Sequence, residues 1–167
     1  MRYRSELLTA SHHLDDFSSS NQELDRWLIE FANHASAMNT GRTFVWHAGD
    51  EQVVAYFTLA AHRVERTHIA RRVGRGSPMD IPAVLLARLA LDQTLHGQGL
   101  GGELLWDALT RSVAAAAIAA ARLVVVRAID DNAAEFYQHH GFIPTPDDNL
   151  HLVQKISEIA ASLGTPT

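Results

Sequence analysis

The sequence predicts an α/β sandwich, a mixed β-sheet of six or seven strands flanked by helices. Three observations carry this expectation. Apolar residues switch repeatedly between the two-residue period of strands and the helical period along the 167-residue chain. The run Ala83–Leu91 is apolar nearly throughout, broken by Arg88, as in a central strand covered on both faces. A glycine-rich turn, His96-Gly97-Gln98-Gly99-Leu100-Gly101-Gly102, follows it and opens into an amphipathic helix.

The elements read in order. Tyr3 to Leu8 is a short opening strand, and Ser18-Ser19-Ser20-Asn21 supplies capping side chains for a helix. Leu24, Trp27, Leu28 and Phe31 give that helix its apolar stripe, running to about Met38. Thr43–His47 and Gln52–Ala61 are rich in β-branched and aromatic residues, with Ala48-Gly49-Asp50-Glu51 as the hairpin turn between them. An arginine-rich loop follows, and Gly74–Pro82, with two glycines and two prolines, continues neither strand. Beyond the glycine turn, Leu100, Leu104 and Ala108 lie beside Leu105, Leu109 and Val113 on one helix. Leu123–Val126 is a buried strand, Asp130–His139 a second helix and Leu150–Ile156 a closing strand. Gly141, Pro144 and Pro146 leave room for only a short extended piece before it. With no repeat and no linker, residues 1–167 are expected to form one domain.

Composition narrows the function classes. Hydrophobic residues make up 47% and charged residues 20%, an ordinary globular balance. No apolar run reaches the roughly 18–20 residues of a membrane span, and no apolar stretch follows the charged start of the chain, so neither membrane association nor a signal peptide is expected. The chain has no cysteine, which excludes disulfides, thiolate metal sites and a cysteine nucleophile, and agrees with a cytoplasmic protein. The formal charge is -5, yet Arg63, Arg66, Arg71, Arg72 and Arg75 stand close together with only Glu65 among them. Such a cluster forms either a local anion-attracting patch or a solvated loop. The chain has ten histidines, but the adjacent pairs His12-His13 and His139-His140 cannot face one way on regular structure, and no metal is expected.

The glycine turn has a direct physical reading. Glycine reaches positive φ and brings backbone close to a ligand, while a helix start offers free amides and partial positive charge. A pyrophosphate suits that arrangement, although a tight strand-to-helix crossover also favours glycine. A Walker loop is excluded because Lys155 is the only lysine. Gly97, Gly99 and Gly102 have dinucleotide-fingerprint spacing, but they fall late in the chain rather than in a first βα unit.

Gln98-Gly99-Leu100-Gly101, preceded by Ala90-Leu91-Asp92, resembles the coenzyme A motif of the GNAT N-acetyltransferase superfamily, Arg/Gln-x-x-Gly-x-Gly/Ala, with His96 at the Arg/Gln position. Glu135-Phe136-Tyr137-Gln138-His139-His140-Gly141-Phe142 resembles the family's Phe-Tyr-x-x-x-Gly-Phe segment. A narrower resemblance, over about Asp15 to Pro146, takes in Phe17, Asn21, Leu24-Asp25, Trp27-Leu28, Arg42-Thr43-Phe44-Val45 and Ile81 to Asp92. These segments are similar to the GNAT toxins of bacterial type II toxin–antitoxin systems.

The resemblance implies a splayed GNAT sheet and acetyl-CoA as co-substrate. Pantetheine would lie along Leu89, Ala90 and Leu91, with pyrophosphate on His96 to Gly102. Asp130 stands where many members carry a coenzyme-touching asparagine, and Asn132 is two residues on, so either is a candidate contact. It also implies direct attack by the amine, with Tyr137 as general acid to the departing thiolate, and no dedicated base is singled out by Asp92 or Glu135. The implied acceptor is the α-amine of aminoacyl-tRNA, bound through the arginine cluster, and the implied partner a ribbon-helix-helix antitoxin. An α-amine titrates near about 8 and lysine near about 10.4, which favours the former as a neutral nucleophile. A small-molecule or protein N-terminal acetyltransferase and a non-catalytic coenzyme-binding module remain alternatives, and the apolar closing strand suits a homodimer.

Overall fold

The computed structural model describes residues 2–164. In chain order the elements are β1 (Arg4–Leu7), α1 (Gln22–Ala37), β2 (Arg42–His47), β3 (Ala55–Glu65), α2 (Arg71–Gly74), β4 (Asp80–Leu91), α3 (Leu100–Ala119), β5 (Leu123–Arg127), α4 (Asp131–His139), β6 (Ile143–Thr145), β7 (Asp148–Lys155) and α5 (Ile156–Ser162). Hydrogen-bonded neighbours follow the order β1-β2-β3-β4-β5-β7-β6. The pair β4/β5 is parallel, whereas β1/β2, β2/β3, β5/β7 and β6/β7 are antiparallel. The expected mixed α/β sheet with flanking helices is therefore present, with seven strands.

The chain falls into two compact units, the first made of residues up to Ala60 with Ala87–Ala108, the second of Ala61–Leu86 with the chain from Leu109 onward. In the first, Asn21 caps α1 by accepting the Leu24 amide at 3.1 Å, a bond that stabilises a helix by about 1 kcal/mol. The stripe of α1 then buries Leu28 and Ala32 against Val45, Tyr56 and Ala90, with Leu24 and Trp27 packed at the margin. In the second unit, Val64, Ile69, Val73 and Ile81 pack with Ala83, Leu123, Val125 and Val153. The register Ala83↔Leu123 to Leu86↔Val126 places these apolar runs side by side.

Several elements differ from the sequence expectation. β3 begins at Ala55, not Gln52, because residues 51–53 bond to another partner: His13 donates to the Glu51 carbonyl and Val53 to the His13 carbonyl. The arginine-rich segment is not a plain loop but a 3-10 turn, Arg66–His68, followed by the single turn of α2, anchored by buried Ile69 and Val73. β4 starts at Asp80 and includes Pro82, whose carbonyl accepts the Arg122 amide even though proline has none to give. The chain does not close on a strand, since α5 follows β7 directly and buries Ile159 and Ala160.

The first unit also contains a cluster invisible in sequence. Glu6, His12 and His47 bring ligand-type atoms within 4.8 Å of one another. His12 Nδ1 accepts the Thr9 amide at 2.9 Å, and His47 Nδ1 accepts the amides of Gly49 and Glu51 at 3.1 and 3.4 Å. Each ring therefore carries its proton on Nε2 and donates it to Glu6 Oε1, at 2.9 Å from His12 and 2.5 Å from His47. An imidazole that binds a metal through Nε2, the nitrogen facing Glu6 here, needs the opposite arrangement, a free Nε2 lone pair and an Nδ1–H donor. These bonds define a clasp that ties β1 to β2 and to the segment after β1.

Hydrogen bonds from His12, then His47, hold the Glu6 carboxyl below its ordinary value of 4.5. A depressed carboxylate stabilises the fold fully above its unfolded titration range and loses that contribution as pH falls through the folded value. Glu6→Gln is therefore expected to lower Tm at neutral pH, with the gap to wild type closing below about pH 4 in thermal melts. A gap independent of pH would mean that the carboxylate charge is not what holds the clasp.

Candidate active site

The glycine turn lies where β4 hands the chain to α3. Gly97 and Gly99 have φ of +78° and +77°, in the left-handed region that side chains other than glycine resist. A Cβ built at either would meet nothing within 4 Å. Their glycine is thus required by backbone conformation and leaves open space beside it, and packing does not explain it. Among the described residues, no acceptor takes the amides of Gly97, Gln98 or Gly99. The first amides of α3 are also free of intrahelical partners, as at every helix start. Unpartnered amides, glycine backbone and the dipole of a 20-residue helix form a cradle that fits a pyrophosphate.

Asp92 fixes the approach to this cradle. Its carboxylate accepts the Thr94 amide and hydroxyl at 3.0 and 2.8 Å, and the Ser18 amide at 3.1 Å. With both oxygens occupied and the residue buried, Asp92 acts as a structural cap and is poorly placed to take a proton. His96 donates from Nε2 to the Leu91 carbonyl at 2.9 Å, so its ring folds back on the strand end. That bond commits one acceptor of the Leu89–Leu91 edge and fixes the tautomer of the ring. Leu89 and Leu91 are half-buried and Ala90 is buried.

In the second unit, Tyr137 is buried on α4, its ring edge-on to Phe136 and Phe142. Burial pushes the phenol up, which keeps it protonated at neutral pH. Its hydroxyl has no protein hydrogen-bond partner among the described residues, yet it is not one of the buried side-chain atoms cut off from any partner, which are His151 Nε2 and Gln154 Oε1. Asp130 is the N-cap of α4 and accepts the Ala133 amide at 2.8 Å, whereas Asn132 is exposed on the first turn. Glu135 is exposed on the same helix.

The arginines divide by position. Arg66, Arg71 and Arg75 line one concavity of about 510 Å³, with Thr67, Gly74 and Gly76. Arg66 is fixed there by donating to the Ser77 carbonyl at 2.8 Å. Arg63 faces Asp80 at 3.8 Å, and Arg72 is exposed on α2 outside the concavity. Another concavity of this unit, about 380 Å³, is mostly apolar, with Val113, Ala116, Ala117 and Ala160 in its wall, and carries no acid–base pair.

Sequence reasoning passed over Arg88, although its place in an apolar run was a signal. Its guanidinium lies over the Trp27 indole, 4.0 Å from the ring centroid. Trp27 in turn stacks on Tyr56, whose hydroxyl donates to the Leu24 carbonyl at 2.6 Å.

The strand, glycine cradle and helix form a site suited to the pyrophosphate of a nucleotide coenzyme. Residues 39–144 match the acetyltransferase (GNAT) domain model, and the chain belongs to this acetyltransferase family. It is 37% identical over 148 residues to a tRNA-acetylating toxin of Mycobacterium tuberculosis, covering 89% of each chain. Its fold matches AtaT complexed with acetyl-methionyl-tRNAfMet, at TM-score 0.88 and 26% identity, over 98% of this chain and 99% of that one. It also matches a Tyr-to-Phe mutant of AtaT bound to acetyl-CoA and the C-terminus of the antitoxin AtaR, at TM-score 0.84 and 25% identity, over 98% and 99%.

Gly99→Val is expected to weaken acetyl-CoA binding at least about tenfold by calorimetry, because a side chain there disfavours the required φ by roughly 1–2 kcal/mol and fills the cradle. An unchanged Kd would remove the turn as the pyrophosphate site.

Proposed function

We propose that this chain transfers acetyl from acetyl-CoA to the α-amine of aminoacyl-tRNA, as the toxin of a toxin–antitoxin pair. The observation that carries the coenzyme half is the open cradle at Gly97–Gly99 with its unpartnered amides. The acceptor half rests on the relatives described above and on the concavity lined by Arg66, Arg71 and Arg75, which suits RNA phosphates on an otherwise acidic chain. In this reading a ribbon-helix-helix antitoxin holds the enzyme inactive, the chain works as one domain in the cytoplasm, and a homodimer is its expected assembly. Strands β3 and β4 running through both units support the single domain.

Acetyl-CoA supplies an activated thioester, and the chain's residues orient it and manage protons. Amides of the turn and α3 hold the pyrophosphate, and His96 and Asp92 shape the strand end beside it. Tyr137 is the proposed acid. Its raised proton affinity makes it a donor and not a base at neutral pH. No carboxylate is required for deprotonation, since an α-amine is substantially neutral near pH 8.

Purified enzyme given labelled acetyl-CoA is expected to label charged tRNA and to leave uncharged tRNA unmarked. Reversing Arg71 and Arg75 to Glu should raise KM for charged tRNA and flatten its salt dependence. Label confined to small amines or protein N-termini would sink the tRNA reading. Tyr137→Phe keeps the ring contacts and is expected to lower kcat by about 10²–10⁴ with acetyl-CoA affinity unchanged. Undiminished transfer by that variant would remove Tyr137 as the acid.

A further inference from the structure

Arg88 is half-buried on β4, immediately before the Leu89–Leu91 edge. Strand alternation puts it on the same face as Ala90, which packs with Tyr56, Leu28 and the other residues beneath α1. The Trp27 indole holds the guanidinium at 4.0 Å, and Tyr56 backs the indole with ring planes 11° apart. Tyr56 is itself fixed by its bond to the Leu24 carbonyl. The guanidinium is thus supported by a stack of rings two layers deep, anchored at the far end to the backbone of α1.

This support is not matched by a counter-charge. Tyr56 and then Glu23 act on Arg88 through space, but among the described residues no carboxylate pairs with it and no acceptor takes its N–H groups; its recorded contact is the Trp27 ring. Asp25, the other acid on this part of α1, is engaged by the Ser19 amide and hydroxyl at 2.9 and 2.6 Å. A planar fork of five donors, half-buried, held flat on an indole and without a protein acceptor, is free to take a ligand. Its fork geometry matches a phosphate or carboxylate in bidentate contact.

We propose that Arg88, held flat by Trp27, is a specificity-determining residue that binds a phosphate of the RNA 3′ end and so positions the aminoacyl group beside the Leu89–Leu91 edge. The inference rests on the aminoacyl-tRNA reading above and names a residue for it. The acceptor amine hangs from the terminal ribose, so a contact one residue along the strand reaches the last phosphodiesters and not the distant stem. The concavity around Arg66, Arg71 and Arg75 serves affinity, whereas Arg88 serves placement.

The experiment compares wild type and Arg88→Gln on two acceptors: charged tRNA, and an aminoacyl-adenosine that carries the same α-amine without any phosphate. A charge-assisted hydrogen-bonded contact is worth about ten- to a hundredfold in binding. Arg88→Gln is therefore expected to raise KM for charged tRNA by that factor, with acetyl-CoA affinity and turnover of aminoacyl-adenosine unchanged. Arg88→Lys is expected to recover part of the loss, since it keeps the charge without the fork. Equal losses on both acceptors would show that Arg88 only supports the packing of Trp27 and would overturn the proposal. An unchanged KM for charged tRNA would also overturn it while leaving the tRNA reading intact. A wild-type enzyme that fails to acetylate charged tRNA would remove that reading and this subsite together.

Discussion

The geometry of the coenzyme cradle depends on how one carboxylate closes the end of β4. The chain must leave an extended strand, pass through two residues at positive φ and enter α3, with no regular structure between Leu95 and Leu100 to hold it. Asp92 supplies the constraint. Its own amide donates to the Val54 carbonyl, its side chain caps a short 3-10 turn, Gln93–Leu95, through the Thr94 amide, and the same carboxylate grips the Ser18 amide. Gln93 adds a second bond to that segment through the Ser18 carbonyl, and Ser20 reaches the Gln93 side chain. The loop before α1, the strand β3 and the glycine turn are thereby fixed to one another within the first unit. Hydrogen bonds to a charged acceptor contribute about 1.5–3 kcal/mol each, so this node can hold a turn that has almost no apolar contact of its own.

The contrast between committed and uncommitted polar groups separates architecture from chemistry. Both oxygens of Asp92 are taken by backbone and hydroxyl donors, Asp130 accepts the Ala133 amide through Oδ1, and Glu6 Oε1 accepts from both clasp histidines. They carry the titratable types that attract functional readings, yet each is explained by the element it terminates or ties. Groups without a protein partner among the described residues include the amides at Gly97–Gly99, the Tyr137 hydroxyl and the Arg88 guanidinium, together with His151 Nε2 and Gln154 Oε1. Burying a polar group without a partner is unfavourable by about 1–3 kcal/mol. Among the described residues that penalty falls on His151 Nε2 and Gln154 Oε1, whereas the Tyr137 hydroxyl and the half-buried Arg88 guanidinium are not closed off in this way and stay open to a further partner.

What was legible in the sequence followed the range of the interactions involved. α1, α3, the apolar strands and the glycine turn are set by local periodicity, capping residues and backbone preference, all of which lie within a few residues of each other. The start of β3 was misplaced because His13 competes for residues 51–53, a pairing that sequence patterns do not encode. The single turn of α2 was hidden by its charge: the five arginines suggested an anion-attracting patch or a solvated loop, while Ile69 and Val73 supply the buried anchors. α5 is short, its apolar residues are few, and its order depends on packing against residues already folded. The glycine turn and Tyr137 were marked by motif, but the state of their atoms was not. That His96 would turn back onto the Leu91 carbonyl, or that Asp130 would serve as a helix cap, needed coordinates.

The histidine clasp shows why residue type alone misleads in a histidine-rich chain. Two buried imidazoles and a carboxylate at short range satisfy the usual description of a metal site. The deciding evidence is on the far side of each ring, where backbone amides point at Nδ1. An amide donor there forces the proton to Nε2, and a ring protonated at Nε2 is a donor to Glu6. Binding a cation would require both rings to change tautomer against donors fixed by the main chain. The same reasoning, applied to His96, turns a suspected phosphate ligand into a donor held by the strand end. The backbone amide on Nδ1 assigns the role of His12 and His47, whereas for His96 the Leu91 carbonyl assigns it directly at Nε2.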